Sequence, residues 1–188
     1  MKTILIIPLF SFTFCVPGGW EKRSVYENDI EIEISFSTAF KDYSETKKET
    51  EVDDIIRLTV YSQVVSGNKY KITFIDSQAE NPTVQEYEIY KPIDVANGPK
   101  FQITEHKEYE SSEDPISEND SQFVYLQNKL YDFLKMAEQK LNDIYSINPI
   151  ENKETIFYII NADTSNGEHQ YIMIKDKDST EFVFELIK

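Results

Sequence analysis

Cysteine occurs once in these 188 residues, at Cys15. A lone cysteine excludes an internal disulfide, so stability must come from packing and backbone pairing. Histidine occurs twice, at His106 and His169, each in a polar, strand-like stretch that reads as a solvated side chain. There is no Gly-x-Ser-x-Gly turn and no Cys/His cluster at metal-ligand spacing. The carboxylates scatter through connections and polar faces. An enzyme is not expected, nor is a metal or a cofactor. Basic residues are scarce: 19 Lys and Arg stand against 34 Asp and Glu, giving a net charge of −15 and a pI of about 4.5. That balance argues against a phosphate-backbone ligand, which needs clustered cations. It favours solubility and basic partners. Past the N terminus, no apolar run approaches the ~20 residues of a membrane span.

At 40% hydrophobic and 13% aromatic, the chain has material for a core. Its first residues read as an export signal over 1–15, with Lys2 before the apolar run Ile4 to Phe14 and small residues Thr13 and Cys15 at the cleavage site. The expected product is secreted, extracellular or in an endolysosomal lumen, and it touches no membrane once the signal is removed. Asn119-Asp120-Ser121 is a glycosylation sequon. Asn81-Pro82-Thr83 is not, because proline occupies its middle position.

Pro17-Gly18-Gly19-Trp20 opens the mature chain as a mobile arm. Residues 28–45 fit two periods. Ile30, Ile32, Ile34 and Phe36 alternate as in a strand, while Ile32, Phe36, Ala39, Phe40 and Tyr43 share one helical face. The helical match is longer, and Asn28 or Asp29 could cap it. Four strand candidates follow at 55–65, 68–76, 84–91 and 100–109, the last reached through Asn97-Gly98-Pro99. Residues 108–119 read as an acidic linker. A second helical stripe runs from Phe123 to Ile144 and is expected to end at Asn148-Pro149. Strand candidates at 155–161, 169–175 and 181–187 close the chain. These patterns predict an α+β class with two units, 16–113 and 117–188, the second smaller and repeating the first in shortened form.

The two hairpin tips differ in chemistry. Asp163-Thr164-Ser165-Asn166-Gly167 is polar, as a solvated turn should be. Gln63-Val64-Val65-Ser66-Gly67 is not. Gly67 can take positive φ to close the turn, but the two valines have no turn role. An apolar tip points to a surface that docks into a partner.

These residues resemble the cystatins, inhibitors of papain-like cysteine proteases. Gln63-Val64-Val65-Ser66-Gly67 is similar to the family's Gln-x-Val-x-Gly first loop, with Tyr70 where the motif continues. Pro17-Gly18-Gly19 resembles its N-terminal glycine trunk, and Tyr87 to Pro92 with Phe101 to Thr104 looks like the stefin branch. Pro92-Ile93 stands where many members carry Pro-Trp, and an export signal is unusual for stefins. The resemblance covers roughly 16–113. It implies a cystatin-like helix packed on a four- to five-stranded antiparallel sheet, followed by a second, degenerate helix-plus-strands unit. It also implies a non-covalent, reversible wedge. Gly18, Gly19, Gln63, Val64, Val65, Ser66, Gly67, Pro92 and Ile93 would touch the protease, and no peptide bond would be offered to its cysteine. On this reading Gly67→Trp or Val65→Asp weakens inhibition and leaves the fold intact. The alternative is a secreted structural or recognition protein without inhibitory activity, which self-associates through exposed strands or a swapped hairpin.

Overall fold

The computed structural model describes residues 19–47, 50–79, 82–93, 101–112 and 114–186. The expected leader at 1–15, Gly18 of the arm and the Asn97-Gly98-Pro99 turn lie outside the described residues. Among those described, no helix is long and apolar enough to cross a membrane.

The described chain starts with a three-residue strand, β1 (Glu21–Arg23), which the sequence did not signal, and passes into helix α1 (Ile30–Thr46). Asp29 caps α1 by accepting the Glu31 N–H at 2.8 Å. That satisfies one of the amides a helix start leaves open. Ile32, Phe36, Ala39 and Tyr43 are buried along one face, so the helical period prevails over the competing alternation. A short 3-10 turn at Val52–Asp54 leads into β2 (Ile55–Val65), β3 (Gly67–Asp76), β4 (Val84–Pro92) and β5 (Gln102–Tyr109). Together with β1 they form one antiparallel sheet in the order β1-β2-β3-β4-β5.

The second half holds helix α2 (Ser121–Met136) and strands β6 (Leu141–Glu151), β7 (Thr155–Thr164), β8 (Gly167–Asp176) and β9 (Val183–Leu186). These strands form a four-stranded antiparallel sheet in chain order. The helix expected to reach Ile144 stops at Met136. Glu138 takes the left-handed conformation at φ 57°, and the Gln139 amide donates back to the Leu134 carbonyl at 2.9 Å. Leu141 and Ile144 fit the helical stripe by spacing, but they belong to β6. Register irregularities at 141–143 and 144–146 bring Ile144 and Ile147 to the same core. Pro149, expected to end a helix, lies inside β6. It is tolerated because β6 is an edge strand. The expected linker partly follows that edge: the Ser112 amide donates to the Pro149 carbonyl at 3.0 Å, and the Ile116 amide to the Ile147 carbonyl at 2.9 Å.

The expected α+β class, a cystatin-like helix on a sheet followed by a smaller helix-plus-strands unit, is overturned. Among the described residues the fold is mainly β, 48% of them lying in strands, with two helices and antiparallel sheets of five and four strands. The physical reason lies between the sheets. Leu58, Ile75 and Val84 of the first meet Ile150, Phe157, Ile159, Ile172 and Ile174 of the second in one buried apolar cluster. Strand runs such as Tyr70–Asp76, Phe157–Ile160 and Tyr171–Ile174 are buried at every position, on both faces. An arrangement in which each sheet needs only its own helix leaves one of those faces uncovered. The remaining faces carry α1 over Val60, Tyr70, Ile72, Phe74, Tyr87 and Ile89, and α2 over Ile144, Ile147, Tyr158, Ile160 and Met173.

Beside the apolar cluster, the sheets also meet through polar groups. Asn152 donates to the Glu86 carboxylate at 2.8 Å, and the Tyr109 hydroxyl donates to it at 3.2 Å. Burial holds the Glu86 carboxyl above its ordinary range, and the nearby Lys71 ammonium opposes that. His106 is exposed, as expected of a solvated side chain, and His169 is half-buried. His106 stacks on Tyr87 with ring centres 4.1 Å apart and hydrogen-bonds Gln85 at 2.8 Å, and His169 lies edge-on to Tyr171.

Candidate functional site

β2 reverses into β3 with a single residue outside the ladder: Val65 pairs with Gly67, leaving Ser66 at the apex. Gly67 has φ 128°, a region side chains rarely adopt. It is also pressed against β4. A Cβ there would collide with the Lys91 carbonyl oxygen and lie 2.9 Å from Tyr90 Cε2 and 3.1 Å from Pro92 Cα. The Gly67→Trp design therefore fails as a clean probe, because it strikes backbone before it reaches any partner. The Tyr90 hydroxyl donates to the Ser66 carbonyl and ties the apex to β4.

Successive side chains of a strand point to opposite faces. Val64 therefore lies on the α1 side of the sheet and Val65 on the other. They are 59% and 40% exposed, and Ile93 is 70% exposed. Gly67 pairs with Pro92, so Ile93 follows directly beside the hairpin apex. Val64 and Gln63 line a recess of about 330 Å³ with Ile30, Glu31, Asn68 and Tyr70. Ile30, at the start of α1, is 75% exposed and extends the apolar surface on that side.

The base of the hairpin is held by Glu31. Its carboxylate accepts from Lys91 Nζ at 2.5 Å, the Tyr70 hydroxyl at 2.5 Å and Asn68 Nδ2 at 2.9 Å. The Lys91 ammonium, then the Tyr70 hydroxyl, hold the Glu31 carboxyl down at about 2. Burial pushes the Tyr70 phenol up, and Glu31 adds to that. One side chain at the start of α1 thus links the helix to β3 and β4. Its importance is not visible in the sequence, where Glu31 is one acid among 34.

The third element is the arm. Glu21 pairs with Ser62, Lys22 with Tyr61 and Arg23 with Val60. This antiparallel register carries Trp20 and the exposed Gly19 along β2 toward Val64. Arg23 anchors the turn into α1 by ion pairs to Glu27 and to Asp29, the latter at 3.4 Å. Gly19, Gln63 to Gly67, and Pro92-Ile93 thus gather at one end of the first sheet. Asn119 sits apart, exposed in the turn before α2, where Asp120 caps the helix.

The second tip is built differently. Thr164 pairs with Gly167 across Ser165-Asn166, and Gly167 has φ 111°. A Cβ at Gly167 would meet nothing within 4 Å. The side chains of this tip are polar and include no counterpart to the valines. Among the described residues no group of three or more His, Cys, Asp or Glu could hold a metal ion. Comparison with known protein families finds no match, and comparison with curated proteins finds none either.

Proposed function

We propose that this chain is a secreted, reversible inhibitor of papain-like cysteine proteases, blocking the active-site cleft as a non-covalent wedge. The reading rests on one observation: Val64 and Val65 stand exposed at a one-residue hairpin apex, beside the exposed Ile93. It does not rest on fold class. Apolar side chains held in water gain by entering a groove. The apex is braced by β4 and by Glu31, so it loses little conformational freedom on docking. The arm runs to the same end and would occupy the cleft on one side of the apex, with Pro92-Ile93 on the other. Cleavage after Cys15 would leave Val16 to Gly19 as the leading segment of that arm, and Asn119 would carry a glycan away from this edge.

Titration of the purified chain against papain and a cathepsin-type enzyme tests this. Tight inhibition, reversed on dilution and leaving the inhibitor uncut, is the expected result. No inhibition, with self-association on a sizing column, would sink the proposal in favour of a structural or recognition role.

A further inference from the structure

We infer that the second sheet holds the N-terminal arm in position, with Asp176 and Glu154 as its positioning residues. This deepens the inhibitor reading, because it gives the half of the molecule without an apolar tip a role in the wedge. β1 is three residues long and makes three register pairs, all with β2. Such a short edge strand is weakly held by backbone pairing alone. The register sets Lys22 beside Tyr61 and Tyr61 beside Lys71, in one row on the sheet face turned from α1. Every member of that row reaches a carboxylate of the second sheet. Lys22 Nζ lies 2.5 Å from Asp176 Oδ2, and the Tyr61 hydroxyl donates to Asp176 Oδ1 at 3.3 Å. Lys71 Nζ lies 3.0 Å from Glu154 Oε1, with Glu88 at 4.0 Å on its own sheet.

The Trp20 ring covers the Lys71 ammonium at 4.9 Å. Lys71 is only 6% exposed, so that cation–π contact is poorly hydrated and correspondingly strong. Glu154 fixes the ammonium beneath the ring. Farther along, the Tyr26 hydroxyl donates to Glu185 at 2.7 Å. Trp20, Lys22 and Tyr26 therefore each connect to the second sheet, directly or through Lys71. Asp176 ends β8 and Glu154 sits in the β6–β7 turn, so both contacts come from one end of that sheet. The arm's direction toward Val64 then depends on the second sheet as well as on β2.

Trp20 is the only tryptophan, so its fluorescence reads the arm without reference to any protease. Asp176→Asn keeps an oxygen for Tyr61 and removes the charge facing Lys22. Glu154→Gln does the same beneath Lys71. Each is expected to raise acrylamide quenching of Trp20 and the papain inhibition constant by about two- to fivefold, the scale of one partly exposed ion pair. Lys22→Asp should do likewise, and Lys22→Asp combined with Asp176→Lys should restore both values. A purely structural role would not give that rescue. If the reversed pair folds poorly, Asp176→Asn and Glu154→Gln still decide the matter. Unchanged Trp20 quenching in both overturns the inference. If the unaltered chain does not inhibit papain, the inhibitor reading fails, and the quenching result still decides whether the second sheet holds the arm.

Discussion

Truncating the two tip valines to alanine is the sharpest test of the docking edge. Each substitution removes two carbons, worth about 1.6 kcal/mol if moved fully from water to an apolar groove. Val64 is 59% exposed and Val65 40%. Only that exposed share remains to be buried on docking, about 0.9 and 0.6 kcal/mol respectively. The double variant should then lose about 1.5 kcal/mol of binding, roughly a tenfold rise in the inhibition constant. The share already buried supports folding, and its loss costs up to about 1.7 kcal/mol. For a chain of this size that lowers the thermal midpoint by roughly 3–7 °C. The two effects separate by assay: progress curves with active-site-titrated papain at 25 °C for binding, and circular dichroism melting for folding. An inhibition constant within twofold of the parent, alongside the expected drop in melting, would refute the docking argument. It would show that the valines serve the hairpin and nothing else.

Val65→Asp, which sets a charge where the groove should be dry, is expected to weaken inhibition more than the double alanine variant, with a native circular dichroism spectrum. Glu31→Gln should destabilise the protein at pH 7, read by urea unfolding. The folded-state value of the Glu31 carboxyl, about 2, lies below its ordinary 4.5, so its ion pair stabilises above pH 4.5 and is lost as pH falls through 2. The gap between parent and variant should therefore close over that window, and a gap unchanged at pH 2 contradicts the role of Glu31. Phe157→Ala opens the cluster shared by the two sheets and should cost about 3–5 kcal/mol. Trp20 fluorescence and far-ultraviolet circular dichroism should still report one coincident transition, and two separate transitions would count against a common core.

The local features were legible in the sequence. β2 spans the expected 55–65, and β3, β4 and β5 begin and end within two residues of expectation. Asp29 caps α1, as one of the two residues proposed. These depend on turn chemistry and short periods, which neighbours in sequence determine. What depended on distant partners was not legible. Ile150, Phe157 and Ile174 face the other sheet, and no spacing within a single strand reveals that. The same blindness puts Leu141 and Ile144 in a helix. Apolar residues three apart fit one helical turn, and they also fit an irregular strand whose register shifts bring both inward. β1 was hidden because three residues carry no period. Its position follows from Ser62, Tyr61 and Val60 beside it, and from Asp176 on the other sheet.

The two turn glycines show how far a residue's identity alone can carry. Both Gly67 and Gly167 hold positive φ, and both close a hairpin. At Gly167 a side chain would meet open space, so the turn requires glycine only for its backbone conformation. At Gly67 the β4 backbone closes on the missing side chain, and conformation and space are limiting together. That close approach lets Tyr90 reach Ser66 and Pro92 pair with Gly67. The valine tip is therefore fastened to β4, which ends in Pro92 with Ile93 directly after it, and the two apolar projections stand in a fixed relation to each other. A groove that receives one is offered the other without reorganisation, whereas a tip freed from β4 would have to be ordered at the moment of contact.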